Sequence, residues 1–184
     1  MKVSNVSVYG AEESVRGAKF PMSTDPESVN SDLTPGIDRL AHAPIGSGHD
    51  NFLNGVIVQF DLKCSNKMWV EMERYHFIDF VSSQSTMHRA TKMFLPECVN
   101  QFVTEATIAE CVRLQQEYNA EPNERNYLTL LYNLPSGIEL TARMTTNYRQ
   151  LKTIYRQRKD HRLPEWREFC RWIETLPHSE WITN

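Results

Sequence analysis

Two segments of the chain alternate between apolar and polar residues, with the period of two that a β-strand gives. The first is Val56–Lys63, in which every second side chain is apolar. The second begins after Gly137. Its apolar residues are Ile138, Leu140, Ala142 and Met144. Each segment therefore predicts a strand with one face against a hydrophobic core.

Apolar residues recur at helical spacing in further segments. Ser65 or Asn66 can cap a helix that continues to His76, and Pro96 suits the first turn of another helix. The apolar stripe predicted for that second helix consists of Val99, Phe102, Val103, Ala106, Ile108, Cys111 and Val112. Pro164 opens a last predicted helix.

Helices that flank at least two alternating strands are typical of an α+β fold. We expect one domain over residues 1–184, because 184 residues are enough for one ordinary core and too few for two. Residues 21–36 are rich in Pro, Ser, Asp and Asn and have no apolar period. They predict a loop that is mobile.

Composition restricts the function classes only slightly. Hydrophobic residues make up 40% and charged residues 23%, as in ordinary globular proteins. The formal net charge of -3 argues against a nucleic-acid partner, so any anion site must come from local arginines.

The cysteines and the apolar runs bear on location. Cys64, Cys98, Cys111 and Cys170 are widely spaced and lack metal-ligand spacing, which indicates buried thiols in a reducing compartment and predicts no metal site. The N-terminal residues lack the apolar run of a signal peptide, and no stretch approaches the roughly 20 apolar residues of a membrane span. We therefore expect a cytoplasmic protein with no membrane partner.

An arginine interrupts the apolar stripe of the helix predicted to begin at about Asn147. Leu151, Ile154, Tyr155 and Arg158 share one face of that helix. Because a buried guanidinium keeps its charge, Arg158 needs a carboxylate, a phosphate or several carbonyl groups as partners. Both a structural ion pair and a phosphate ligand meet that need.

The start of the same helix offers two roles for its polar residues. Asn147 and Arg149 lie where free backbone N–H groups and the positive end of the helix dipole favour an anion. Asn147 is equally suited to cap the helix, and the two roles are compatible.

A further polar cluster lies between residues 74 and 89. Arg74, Tyr75 and His76 are followed by several serines, including Ser85, and then by His88 and Arg89. Together they suit either a pocket that accepts an anion or a solvated surface. His49, after a glycine-rich turn, suits a ligand contact or an ordinary loop.

Walker loops, serine nucleophile elbows and the Gly-x-Gly-x-x-Gly fingerprint are absent from the sequence. The order of the remaining pieces resembles the flavin-dependent thymidylate synthase (ThyX) family. The matching segments are Ser14 to Lys19, Gly48-His49-Asp50, the strand Val56–Lys63, Arg74-Tyr75-His76, Ser85 to Arg89, Thr146 to Arg149, Arg158 and Trp166. They extend over most of the chain.

The resemblance implies a small, mostly antiparallel sheet flanked by helices, the ThyX-like fold, and a homotetramer with active sites shared between subunits. It implies methylation of dUMP to dTMP with FAD as cofactor and with NADPH and methylenetetrahydrofolate as co-substrates. The residues expected to contact FAD are Arg74, Tyr75, His76, His49, Asn147 and Arg149. Those expected to bind dUMP are Ser85, Arg89 and Arg158, of which Ser85 and Arg158 are also the expected catalytic residues.

Three positions depart from the family pattern. Tyr75 and His76 stand where the family has His and Arg, and Leu131 stands where the family has another nucleotide-binding Arg. The alternative is a nucleotide-binding or nucleotide-modifying homologue, for dUMP or another pyrimidine nucleotide, that has lost or changed the flavin-dependent activity. A structural or interaction protein on the same scaffold is the third reading.

Overall fold

The computed structural model describes residues 1–183, which form a four-stranded antiparallel sheet with helices packed around it. The strands are β1 (Lys2–Tyr9), β2 (Ile57–Ser65), β3 (Ile78–Ser83) and β4 (Glu139–Asn147), in the spatial order β1-β2-β4-β3. The helices are α1 (Ala11–Ala18), α2 (Pro35–Ala41), α3 (Asn66–Met72), α4 (Thr86–Arg89), α5 (Glu105–Ala120), α6 (Glu124–Asn133), α7 (Tyr148–Arg158), α8 (Pro164–Ile173) and α9 (Glu180–Thr183). The predicted α+β fold is confirmed.

The two central strands are the ones that the alternation predicted. In β2 and β4, Phe60 lies opposite Met144 and Leu62 lies opposite Ala142, and all four side chains are buried on one face of the sheet. The other face carries partly exposed polar side chains. Alternation placed the core face correctly because a strand turns successive side chains to opposite sides.

Aromatic side chains of α8 cover the apolar face of the sheet. The ring of Phe60 lies 5.9 Å from that of Phe169 and 4.5 Å from that of Trp172. Pro164 begins α8, as predicted. The short helix α9 follows, so the prediction that α8 is the last helix was wrong.

The prediction that a helix begins at Pro96 was also wrong. Pro96 lies in a single 3₁₀ turn, Leu95–Glu97, and α5 begins eight residues later at Glu105. Thr104 sets that start, because its hydroxyl accepts a hydrogen bond from the backbone N–H of Thr107. The apolar residues before Thr104 belong to an irregular segment rather than to a helix.

The helix α3 is shorter than predicted. Ser65 caps it by accepting a hydrogen bond from Met68 N, and the helix ends at Met72. The prediction had extended it to His76. Residues 73–77 are non-helical, and Phe77 adopts the left-handed conformation, with φ 64°, immediately before β3.

Residues 21–36 form part of a 3₁₀ turn at Phe20–Met22, a second turn at Pro26–Ser28 and the start of α2. Lys19 Nζ holds this segment by donating to Asn30 Oδ1 at 2.7 Å. The mobility of this segment stays a prediction.

Three of the four cysteines, Cys64, Cys111 and Cys170, are buried as free thiols, and Cys98 is partly exposed. Within residues 1–183, no helix is long and apolar enough to cross a membrane. Nor does this part of the chain gather three potential metal ligands of the His, Cys, Asp or Glu type.

Candidate functional site

One end of the sheet brings together four chain connections. Tyr9 at the end of β1 pairs with Ile57 at the start of β2, and Ile57 also pairs with Asn147 at the end of β4. Ile78 at the start of β3 pairs with Thr146. The segments that carry His49, Arg74 to His76 and Arg149 therefore leave or enter the sheet at this same end.

A buried carboxylate ties the His49 segment to α7. Asp50 has no exposed surface, and its two oxygens lie 3.3 Å from Arg149 Nε and 3.2 Å from Lys152 Nζ. Lys152 also donates to the carbonyl oxygens of Ala41 and Ala43. This network fixes the backbone beside His49, whose side chain is exposed.

The first turn of α7 confirms one of the two roles predicted for Asn147. Its Oδ1 accepts a hydrogen bond from Gln150 N at 2.8 Å, so Asn147 caps the helix. A contact with FAD stays a prediction. Arg149, two residues later, keeps a third of its side chain exposed while Nε faces Asp50, so part of the guanidinium is accessible to a ligand.

A groove of about 890 Å³ lies beside His49, between α1 and the segment 48–55. Six of the thirteen residues that line it are Gly, Ala or Ser. Gly10 has φ 73°, and a Cβ there would approach the carbonyl oxygen of Gly55 to 2.6 Å. The backbones of α1 and of the segment 48–55 are therefore closely packed here, and the volume of the groove lies in the range of known ligand pockets.

The segment 74–77 is a turn on the other side of Asn147. Arg74 and His76 are exposed and make no side-chain hydrogen bond or ion pair. The carbonyl oxygen of Phe77 accepts a hydrogen bond from the buried Thr146 hydroxyl at 2.8 Å, which stabilises the left-handed conformation. Two unpaired side chains with basic nitrogens therefore stand on a backbone that is held in place.

Tyr75 is directed toward the C-terminal end of α7. Its hydroxyl donates to Gln157 Oε1 at 2.9 Å and accepts from Arg158 Nε at 2.6 Å. The guanidinium of Arg158 also faces the carboxylate of Glu71. A structural ion pair, one of the two roles predicted for Arg158, is therefore present, while its nucleotide role stays a prediction.

Two of the three residues predicted to bind dUMP, Ser85 and Arg89, lie at the other end of β3, away from Arg158. Ser85 precedes α4 and Arg89 ends it, and Gln84 pairs with Thr141 near the start of β4. A six-residue strand separates these positions from the 74–77 turn by roughly 20 Å. Within one protomer, the structure thus does not bring the predicted FAD contacts and Arg89 together.

Arg89 differs from the other arginines. Among residues 1–183, it is the one partly buried arginine with no side-chain hydrogen bond or ion pair. A guanidinium that is partly withdrawn from water and unpaired is suited to an anionic ligand.

Sequence inspection missed Lys152 and Glu71. Lys152 falls on the apolar face of α7, four residues after the buried Tyr148, which is a detectable signal of a buried charge. Glu71 carries no comparable signal, because its partners Arg158 and Trp166 are distant in the sequence.

Comparison with known proteins gives no match at the level of family models and none among curated protein sequences. Solved structures do match. One is flavin-dependent thymidylate synthase ThyX from Helicobacter pylori complexed with FAD and dUMP, at a TM-score of 0.74 over 99% of this chain and 98% of that one. This chain has the ThyX fold.

A second structure of the same Helicobacter pylori enzyme, also with FAD and dUMP, matches at a TM-score of 0.73 over 100% of this chain and 97% of that one. Sequence identity is 16% in both cases. The predicted ThyX-like fold is therefore confirmed. Leu131 is one of the positions that depart from the family pattern described above. Its side chain packs against the apolar cluster of Ala90, Leu114 and Leu130.

Proposed function

We propose that this chain is a flavin-dependent thymidylate synthase-like protein that binds FAD and dUMP. The supporting observation is the near full-length similarity of its fold to structures that contain both molecules. The complete reaction would convert dUMP to dTMP, with methylenetetrahydrofolate and NADPH as co-substrates. Of the two residues expected to be catalytic, we retain Ser85 in that role, because Arg158 already has a carboxylate partner within the chain.

The groove beside His49 and the adjacent end of the sheet fit a large planar anionic cofactor. The groove has suitable size and several small lining residues. Arg149, whose Nε faces Asp50 beside His49, and the exposed Arg74 lie at the same end of the sheet as the groove. FAD, when bound, would supply redox chemistry that protein side chains lack. The role of this chain is to bind and orient, and the positive dipole end of α7 lies at this end of the sheet, where it favours a phosphate.

For the nucleotide, the supporting feature is the unpaired guanidinium of Arg89 beside Ser85. A planar guanidinium forms charge-assisted, often bidentate, hydrogen bonds with a phosphate. Because Arg89 and the predicted FAD contacts lie at opposite ends of β3, a complete site needs residues from a second copy of the chain. We therefore also propose a homotetramer with shared sites.

A nucleotide-binding homologue without the flavin-dependent activity is the second candidate. Two observations favour it. Leu131 places an apolar side chain where the family has an arginine, and Tyr75 is engaged with Arg158 rather than free for a ligand.

Absorbance and ligand titration of the purified protein distinguish these candidates. The first predicts flavin absorbance, or reconstitution by added FAD, and predicts that Arg74→Ala loses FAD, whereas the matched control Arg125→Ala on the exposed face of α6 retains it. Colourless protein that binds dUMP but cannot be loaded with FAD would favour the second candidate. Protein that binds neither FAD nor dUMP would rule out both.

A further inference from the structure

Arg158 is enclosed by side chains of its own chain. Its guanidinium carbon lies 4.9 Å from the ring centre of Trp166 and 5.4 Å from that of Tyr75. Nε donates to the Tyr75 hydroxyl, and Nη1 lies 3.5 Å from Glu71 Oε2. These contacts leave 14% of the side chain exposed.

Glu71 is the centre of this group, which we name the Glu71 cluster and which comprises Glu71, Lys67, Arg158, His161 and Trp166. Glu71 Oε2 accepts from Trp166 Nε1 at 3.1 Å, and Oε1 lies 3.2 Å from Lys67 Nζ. His161 Nε2 is 3.6 Å away. Burial raises the pKa of Glu71, but the hydrogen bonds from Lys67 and Trp166 outweigh it and hold the pKa below its usual value.

An external phosphate would have to compete with this carboxylate for Arg158. Displacing Glu71 would separate a carboxylate of low exposure from its guanidinium, and the loss of that ion pair is unfavourable. Arg89, by contrast, has no internal partner to give up.

The contacts of Arg158 act on the segment that carries Arg74 and His76. Those two side chains have no partners among the described residues, whereas Tyr75 between them is held by Arg158 and by Gln157 at 2.9 Å. Tyr75 is therefore the point at which α7 fixes the turn.

We propose that Arg158 is a positioning residue, which uses Glu71 as its internal counterion to fix Tyr75 and the 74–77 turn, and that it does not bind the phosphate of the nucleotide. The statement about the nucleotide rests on the proposed function. The statement about Glu71 and Tyr75 is independent of it.

Titration with dUMP and with deoxyuridine, which lacks the phosphate, tests the proposal. Arg158→Gln and Glu71→Gln are expected to weaken both ligands by the same factor, so that the preference for dUMP is unchanged. The matched variant Arg89→Gln is expected to reduce that preference roughly tenfold or more, because it removes a charged hydrogen bond to the phosphate. Loss of the dUMP preference in Arg158→Gln would overturn the proposal.

Thermal unfolding of the same variants supplies a readout that needs no ligand. Each of Glu71→Gln and Arg158→Gln is expected to lower the melting temperature. The double variant is expected to melt no lower than the less stable single variant, since it removes both members of the Arg158–Glu71 ion pair together. If the decrease in melting temperature of the double variant equals the sum of the decreases of the two single variants, the ion pair between Glu71 and Arg158 is refuted. If the wild-type protein binds neither dUMP nor deoxyuridine, the proposed function fails, and the melting data alone decide the positioning role.

Discussion

Asp50 illustrates how a buried charged side chain is paired in this protein. The carboxylate has no exposed surface, yet each oxygen faces a cation, Arg149 or Lys152. Lys152 is itself buried and completes its contacts with two backbone carbonyl groups. Removing one member of such a group leaves the others in a medium that does not solvate them.

Asp50→Asn should therefore lower the free energy of unfolding by about 3–5 kcal/mol, because it leaves Lys152 buried without a counterion. Urea denaturation followed by circular dichroism measures the change. The control Asp79→Asn alters an exposed carboxylate with no side-chain partner and should change stability by less than about 0.5 kcal/mol. Equal effects of the two substitutions would contradict the role given to Asp50.

The stability of the protein should also depend on His161. Burial and the nearby positive charge of Arg158 lower the pKa of His161 below its ordinary value of 6.5, although Glu71 acts in the opposite direction. The unfolded chain therefore takes up the proton more readily than the folded one. The neutral ring of His161 makes its full contribution to the free energy of unfolding above pH 6.5. That contribution declines as the pH falls from 6.5 to the lower pKa of the folded state.

Urea midpoints at a series of pH values on both sides of 6.5 check this expectation. The His161→Gln variant should lose less stability on acidification than the wild type over that range. The control His88→Gln, at an exposed histidine without a side-chain partner, should follow the wild type. A wild-type profile that is unchanged by His161→Gln would refute the argument.

At the residue scale, sequence inspection succeeded where the signal is local. Asn147 was predictable as a cap because capping depends on the next three residues. The need of Arg158 for a counterion was predictable from its place in an apolar stripe. The identity of that counterion was not, because Glu71 lies 87 residues away and its proximity depends on the folded chain.

Among the secondary-structure elements, α1 and the 3₁₀ turn Asn51–Gly55 are in close contact where Ser14 meets Gly55. A Cβ at Gly55 would collide with the hydroxyl of Ser14, which is buried. This contact forms one wall of the groove beside His49. The packing of α1 therefore determines the shape of the proposed cofactor site.

Gly55→Ala should lower the free energy of unfolding by roughly 1–3 kcal/mol, as overpacking of a close contact does. It should also widen or distort the groove and weaken FAD binding in a titration. The control Gly17→Ala lies in α1, the helix that carries Ser14, and has open space at its Cβ. It should be neutral or stabilise by up to about 1 kcal/mol. Destabilisation by Gly17→Ala as large as by Gly55→Ala would contradict the packing argument.

The elements that were predictable are those with a strong and sustained pattern. The strands β2 and β4 each alternate over nine residues in the centre of the sheet. The edge strands β1 and β3 were missed, because an edge strand is partly exposed on both faces and need not alternate. The start of α5 was misplaced because an apolar period continued through the irregular residues before Thr104.

At the scale of the whole molecule, the predicted ligand contacts divide into two groups that one protomer keeps apart. Arg74 and Arg89 lie at opposite ends of β3. Under the proposed function, a complete site then requires that the two groups come from different copies of the chain. We expect light scattering to give four times the chain mass of 21.5 kDa.

Mixing of two variants tests this arrangement directly. Arg74→Ala and Arg89→Ala should each fail to bind FAD and dUMP together, while co-assembled mixtures should recover about a quarter of the sites, as random pairing of protomers predicts. Mixtures of wild type with either variant are the control for assembly. A monomer in solution, or no recovery in mixed assemblies, would contradict shared sites.

The general architecture was predictable from sequence because an α+β fold follows from the order of strands and helices. The proposed division of the site between protomers was not predictable from pattern alone, because it depends on the register and length of β3. The family resemblance suggested it, and the separation of Arg74 from Arg89 supplies the physical reason.

The rate at which the free thiols react with an alkylating reagent should measure how often the folded protein opens. Burial raises the pKa of Cys170 to about 12 and raises that of Cys64 further, so neither offers a thiolate to alkylating reagents at neutral pH in the closed fold. Cys98 is partly exposed and should react first. The labelling rate of Cys64 and Cys170 then records how often the core beneath the sheet opens, and a bound ligand that stabilises the fold should slow it.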